Sequence, residues 1–513
     1  MKLTFNILKS ALLISALFLI KSHGFSQKES LELLPGSESL QYDAKTGIHR
    51  LLGNVNFIYQ GNKMYCDSAY YFQRTKSVRA YGHVHINKRD TLNLFCDSLF
   101  YDGRTDKATL WGNVRVRDNE YKLTTDTLHY NSKTGQAYYL NYGKVVSIVS
   151  KEELTSKVGY FHPNTKNFFF SNKVVYKSTE VTMTTDTLKY TYSQRKTYFY
   201  GPTQINTKDA VILCESGWYQ TETGQAELRK NASITKGKDY ISGDILIYDP
   251  VKTEYIGKGN VYYRDTTEKV SFKGDYGFMS DTLNYSFLTG HALAIKELKD
   301  DTVYIHADTL YNYKLDSVSI VKAFNGARIY ATKFQGMADS IVYSSEKELI
   351  EMYHSPIVWA KNGELKGDYI DVRITDTIIH QVNITDNATI LMEVKIDTFY
   401  NQIAGKRIIA DFRDNDIYRA TVNGNATTIF FPEEEIKTDS TFTKKRIGMN
   451  RLYASDLRID IDSSEISGIT YIEKPDGVFY PLDKLKKEEQ FVQGFDWKDA
   501  LRPKSLEAIF EGE

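Results

Sequence analysis

Two adjacent segments decide how this chain folds: Lys107-Ala108-Thr109-Leu110-Trp111-Gly112-Asn113-Val114-Arg115-Val116-Arg117 and Tyr121-Lys122-Leu123-Thr124-Thr125-Asp126-Thr127-Leu128-His129-Tyr130. In the first, Ala108, Leu110, Gly112, Val114 and Val116 share one parity, and Lys107, Thr109, Trp111, Asn113, Arg115 and Arg117 take the other. Period-two alternation predicts a strand with one buried and one wet face. Gly112, two before Val114 on the inward parity, predicts a bend or close approach. In the second segment Leu123, Thr125 and Thr127 share one parity, whereas Leu128 and Tyr130 share the other. A one-residue flip of the apolar set is what a β-bulge or sharp bend produces. The carboxylate of Asp126 is then placed to accept amides freed at the irregularity.

The pattern repeats about every thirty residues. Asp-Ser/Thr-Leu/Ala-x-Tyr runs occur at Asp67–Tyr71, Asp97–Tyr101, Asp126–Tyr130 and Asp186–Tyr190, and return at Asp308-Thr309-Leu310-Tyr311 and Asp339–Tyr343. Weaker copies at Ser156-Lys157-Val158 and Glu215-Ser216 fill the gaps, while Asp275 and Asp281 compete for one repeat. A fixed period of this size implies an array of one supersecondary unit, stacked so that neighbours share a core. Turn residues such as Asp102-Gly103-Arg104-Thr105 and Asn131-Ser132-Lys133-Thr134-Gly135 punctuate it. Two reversals per repeat favour an up-and-down meander of strands about ten residues long; a single-coil parallel β-helix stays open. The expected class is all-β, an elongated arrangement of stacked antiparallel strands from about Leu40 to Ile429. Residues 27–200 and 201–430 form successive parts of it. Residues 431–513 hold one more strand pair (Leu452–Ile461, Gly468–Ile472) and a polar tail that caps or docks.

The N-terminus reads as a signal peptide over residues 1–26. Lys2 and Lys9 precede or open on an apolar run, Ser10 to Ile20, and Gly24-Phe25-Ser26 offers a cleavage site. That run is too short for the ~20 residues of a spanning helix, so an exported, periplasmic protein is expected. Lys plus Arg equals Asp plus Glu at 65 each, which disfavours a nucleic-acid partner. The 38 Tyr and 26 Phe beside only nine Pro favour strands. Cys66, Cys96 and Cys214 each precede an acidic motif position. Equivalent positions two strands apart lie about 9.6 Å from each other, beyond disulfide reach.

Hydrolase, metalloprotease, P-loop and dinucleotide motifs do not occur. His83-x-His85 lacks a third ligand in pattern, so neither a metal nor another cofactor is expected. An acidic residue that recurs in nearly every repeat argues for architecture, since catalysis needs one special place.

The strands Gly53-Asn54-Val55-Asn56-Phe57, Gly82-His83-Val84-His85-Ile86, Gly112–Val116 and Gly259-Asn260-Val261-Tyr262-Tyr263 resemble the Gly-x-Val-x-Ile/Val strands of the organic-solvent-tolerance (OstA-like/LptA) family. The Asp-Ser/Thr-Leu-x-Tyr strands fit the same pattern. The resemblance is best over about 28–200 and weaker to about 430. It implies an open β-jellyroll (β-taco) whose half-sheets form a V around an apolar groove. It also implies transport of lipopolysaccharide between the inner and outer membranes, with end-to-end docking to other OstA-like proteins through edge strands, and no enzymatic activity. Residues implied to touch the lipid A acyl chains are Val55, Phe57, Val84, Ile86, Leu110, Val114, Val116, Val174 and Val261.

Two other readings compete: a structural or adhesive extracellular β-solenoid with its inner face filled, and a transmembrane β-barrel. Charged outward residues such as Lys107, Arg115 and Arg117 weigh against the barrel. If residues 1–26 are an export signal, N-terminal sequencing of the protein exported by a Gram-negative host begins at Gln27. An exported chain that retains Met1 overturns that reading.

Overall fold

The computed structural model describes residues 32–511, apart from 60–61, 89–91, 118, 120, 150, 163–166, 221, 316–317, 376–377, 395–398, 414–415, 439–440 and 463–464. The signal-peptide segment lies outside the described residues. The protein is all-β, with antiparallel strands and no α-helix among the described residues. It divides into two compact units, Met1–Gly257 and Lys258–Glu513.

In the first unit the strands follow one another as a meander. Ile48–Tyr59 pairs with Asn62–Phe72, which pairs with Ser77–Lys88, and so on through Leu92–Asp102, Lys107–Arg117 and Tyr121–Asn131. After an interruption over residues 137–162, the long strands resume from Asn167–Lys177 to Asp239–Asp249.

Almost every strand is bent at its middle, most recurrently by a glycine followed by Asn or His, while Asn172-Lys173, Lys230-Asn231 and Asp386-Asn387 take the same left-handed pair of positions without glycine. Between Lys107–Arg117 and Tyr121–Asn131, pairing steps from Trp111↔Thr127 to Val114↔Thr125, so Gly112 and Asn113 together face Asp126 alone. Two residues against one is a β-bulge. Both residues of the bulged pair are left-handed: Gly112 and Asn113 at φ 78° and 50°, Gly82 and His83 at 71° and 45°, Gly259 and Asn260 at 66° and 49°. Each position has a chemical reason. A Cβ on Gly82 would stand 2.1 Å from Asp67 Oδ2, and one on Gly112 2.5 Å from Asp97 Oδ2, so only glycine fits against the neighbouring carboxylate. The second residue must tolerate φ > 0 and reach that carboxylate, which Asn and His do.

The expectation that the motif acid accepts freed backbone amides is corrected in its partner. Asn113 Nδ2 donates to Asp97 Oδ2 at 2.8 Å, Asn54 Nδ2 to Glu38 Oε1 at 2.9 Å and Asn231 Nδ2 to Glu215 Oε1 at 2.7 Å. His83 Nδ1 and His291 Nδ1 lie 2.9 and 2.8 Å from the carboxylates of Asp67 and Asp275. Each tie joins bulge and acid sixteen residues apart. Gly424, whose amide donates to Asp456 Oδ1 at 2.9 Å, keeps the backbone version. The His291 tie decides for Asp275 over Asp281, which sits in the turn after Val270–Ser280. The parity switch has the same origin. Leu110 and Val114 lie four apart and keep their face, while their partners Leu128 and Thr125 lie three apart.

Both halves of each bent strand bury the same side, so the two half-sheets close on one core. Along the crease the register lines up Val55, Cys66, Val84, Cys96, Val114 and Thr125, none more than 9% exposed. At the far end of one wall the motif tyrosines alternate with small residues: Val78, Tyr101, Ala108, Tyr130, Ala137. Large against small across neighbouring strands lets the layer interdigitate. Tyr139 crosses the crease, its hydroxyl 2.6 Å from Ser156 Oγ and its ring where a Cβ of Gly143 would be.

The second unit uses the same bends with less regular register. Its core gathers Val261, Leu288, Leu310, Ile341, Met352, Ile370, Ile384 and Ile408 among others. Here the sequence motif misplaces one residue. Tyr311 follows Leu310 directly, so it faces outward beside Phe287, while Asn312 takes the inward position beside Ser286. Where one strand pair is expected after residue 431, Gly448–Asp462 pairs with both Glu465–Ile472 and Asp476–Pro481, and Glu433–Thr438 pairs separately with Thr441–Arg446. Residues 482–511 contain only short 3-10 turns and lie on the outer face of this unit.

Gly112→Ala is expected to lower stability by roughly 1–3 kcal/mol, the cost of a non-glycine residue held in a sparsely populated backbone region, measured by urea unfolding. The Asp67 hydrogen bond, and then its charge, raise the pKa of His83 above the usual histidine value. A raised histidine stabilises fully below about 6.5, its unfolded value, and loses that contribution as pH rises through the folded pKa. An NMR titration should therefore place His83 above 6.5, and Asp67→Asn should return it to that value; an unchanged midpoint in the variant refutes the tie.

Candidate functional site: the inner face

The candidate site is the apolar surface enclosed by the two half-sheets. Within each unit the bulged strands contribute to it, because the bulge keeps Leu110-type and Val114-type positions on one face while the strand turns. The structure sorts the nine residues singled out from sequence into four settings. Val55, Val84, Val114 and Val174 line the crease, each 0–1% exposed. Phe57 and Val116 stand one step up one wall at 0–1%, with Leu110 on the opposite wall at 2%. Val261 belongs to the second unit's core, and Ile86 is the one of the nine that is half-buried.

The eight that lie in the first unit share one inner face, and that face is covered by the chain's own atoms. An unfilled trough was expected along it; at the crease of the first unit the side chains from both walls fill the space. The acid-preceding cysteines belong to the same crease. Cys66, Cys96 and Cys214 are buried thiols, and burial pushes each pKa up to about 12. A thiol held protonated in this way is inert to alkylation at neutral pH.

The more accessible part of the inner face lies in the second unit, where sequence reading had named only Val261. Register runs Phe272↔Ala294, Ala294↔Ile305, Ile305↔Ile329, then Val358↔Leu365, Leu365↔Ile390 and Ile390↔Ile403. Most of these are half-buried and pack against the core from one side. They were missed because the repeat drifts here. The strands lengthen to fifteen or seventeen residues, as in Phe399–Arg413 and Ile378–Val394, and the Gly-x-Val signature is lost. Alternation alone (Ile403-Ala404 after Phe399, Leu365 between Glu364 and Lys366) was the only available signal.

Outside the crease, a cavity of about 760 Å³ is lined by Asp97, Asn113, Arg115, Asp126, Tyr142 and Lys144 among others. Its charges are mixed; Asp97 is already taken by Asn113 across the bulge, and Lys144 pairs with Glu153. Among the described residues no cluster of three His, Cys, Asp or Glu could hold a metal, and no helix is long and apolar enough to cross a membrane.

Comparison with known proteins bears on this face. Residues 33–186 and 171–244 match the family of OstA-like proteins. Over these residues the chain is OstA-like. The family is non-enzymatic. Among solved structures the chain is similar to LptH, the LptA-homologous periplasmic component of the conserved lipopolysaccharide transport device of Pseudomonas aeruginosa. The identity is 15%, covering 27% of this chain and 81% of that one, with a TM-score of 0.14. No curated protein matches.

Leu110→Ala should cost about 2–4 kcal/mol, the usual range for truncating a sealed leucine. The native protein should resist alkylation of all three cysteines at pH 7.5 and react fully in 6 M guanidinium. A fast-reacting thiol in the native state would show that the crease opens in solution.

Proposed function

We propose that this OstA-like chain is a periplasmic carrier of lipopolysaccharide, whose acyl chains lie on the inner face between the half-sheets. The observation that carries the proposal is the register of that face within each unit: one apolar row after another, strand by strand. Moving an acyl chain of ~12 carbons into water costs about 10 kcal/mol at ~0.8 kcal/mol per methylene. A lipid crossing an aqueous compartment therefore needs a continuous apolar shield, and a folded sheet supplies one without chemistry. Other OstA-like proteins are the expected partners at the free strand edges, where unpaired backbone groups accept another strand.

Because the crease is packed, a bound acyl chain displaces side chain–side chain contacts there. The half-buried rows of the second unit need less rearrangement. Loading is therefore assigned first to Ile305, Val358, Leu365 and Ile390, and only with parting of the walls to Val84 and Val114.

The same packing supports a second reading, a structural β-sheet body whose filled core binds nothing. Photo-crosslinking separates the two. With benzoylphenylalanine at Ile305, Val358 or Ile390, label transfer to lipopolysaccharide is expected in cells, weaker from Val84 and Val114 and absent from Arg115. Transfer from Arg115 alone would reject the assignment of inside and outside. Folded variants that capture no lipid from any inner position would leave the structural body as the answer.

A further inference from the structure

The outer face of a folded sheet should be wet, yet one row of the second unit is dry. Register places Gln335 beside Trp359, Trp359 beside Glu364, Glu364 beside Leu391, Leu391 beside Gln402 and Gln402 beside Ile429. By parity these are opposite to the inner Val358, Leu365 and Ile403. Nevertheless Trp359, Glu364 and Leu391 are 0% exposed, Gln402 1% and Gln335 5%. What covers the row is the C-terminal segment of the chain.

The grip is made by side chains of the sheet on the backbone of that segment. Gln402 Nε2 donates to Gln490 O at 2.7 Å, and Gln402 Oε1 accepts from Val492 N at 2.9 Å. One side-chain amide thus makes the two bonds that a residue in a parallel strand makes to the positions flanking its neighbour. Glu364 Oε2 accepts from Lys498 N at 2.8 Å and from Trp359 Nε1 at 3.1 Å. Lys366 Nζ donates to Asp496 O, and Arg328 Nη1 to Glu511 O and, at 3.4 Å, to Ala508 O. The segment returns a few side-chain anchors. Arg502 Nε donates to Gln335 Oε1 at 2.7 Å, Val492 and Ile509 are buried, Trp497 sits 5.2 Å from Tyr400, and Phe510 4.5 Å from His306.

We propose that this outer row is a groove for an extended peptide, and that residues 486–511 are its resident but exchangeable occupant. Two features argue for exchange over a permanent seal. First, the segment contributes no strand, and among the described residues its own backbone bonds are local ones within 3-10 turns. It can leave without breaking the sheet. Second, beside the apolar cluster of Val492 with Ile429, Phe431 and Met449, the grips on the segment's backbone are polar and one of them is a buried carboxylate. A sealed interface is served as well or better by apolar residues; buried polar grips add register and cost desolvation, a cost that is relieved when the segment departs and Glu364 meets water. The occupant named here is the C-terminal segment of this same chain, and the backbone character of the grip allows that segment to be supplied from outside.

The full-length chain tests this with a fluorescein-labelled synthetic peptide of residues 482–511. Arg502→Ala with Ile509→Ser weakens the resident segment and leaves the groove intact. That variant, shown folded by circular dichroism, is expected to bind the labelled peptide one-to-one and at least tenfold more tightly than the wild-type chain. Adding Gln402→Ala should abolish the gain. In the wild-type chain, hydrogen exchange at the amides of Val492 and Lys498 should proceed together and far faster than at the strand Ile378–Val394 beneath. A folded double variant that binds no more peptide than wild type, or segment amides that exchange only with the sheet, overturns the proposal. Neither outcome depends on whether the inner face carries lipid.

Discussion

The collision between a motif carboxylate and any Cβ at the neighbouring strand's glycine is the constraint on which the rest depends. At Gly82 and Gly112 the space is taken by Asp67 and Asp97. Glycine must stand there, it adopts a left-handed conformation, and the residue after it follows. That second residue is Asn or His because it has to tolerate the same conformation and bond the acid that forced it. Two residues then oppose one, the strand bends, and the apolar positions on both sides of the bend turn toward one another. Repeated strand after strand, a local steric conflict becomes a folded sheet with a crease.

The ties themselves are exposed and individually weak, as surface pairs usually are. Their importance is geometric. Each fixes where a strand bends relative to its neighbour, so the crease residues Val55, Cys66, Val84, Cys96 and Val114 fall in one line. The packing energy then comes from that line and from the walls beside it. A displaced bend would move one strand's Leu and Val out of register with the next. Acid and bulge therefore govern the core although neither is in it.

The same geometry explains how one sheet offers two different surfaces. Inside, alternating large and small side chains close the first unit, while the longer, less regular strands of the second leave apolar rows half-covered. Outside, positions such as Lys107 and Arg115 are exposed and charged, and others such as Tyr138, Tyr160 and Phe169 are half-buried aromatics packed on one another. The exception is the row from Gln335 to Gln402, whose burial follows from a segment distant in sequence, about ninety positions away in the case of Gln402 and Val492.

Sequence alone determined the strand class, the inward and outward parities of Lys107–Arg117, the thirty-residue period and the presence of a bend at each acid. These are local properties: alternation and turn chemistry act over a few residues and are written in order along the chain. It also carried enough of the Gly-x-Val signature to mark Val55 through Val116 as inward. Tertiary structure decided what alternation cannot reach. Whether an inward face is filled depends on how the opposite wall meets it, so the sealing of Val84 and the half-exposure of Ile305 were not legible. The partner of a motif acid such as Asp67 or Asp97 lies on the next strand, sixteen residues on. The missing spacer before Tyr311 stands in the sequence, while the register shows its consequence, an outward place beside Phe287. The dry outer row was invisible for the same reason: Gln335, Glu364 and Gln402 are ordinary surface residues by parity, and only long-range packing of the C-terminal segment buries them.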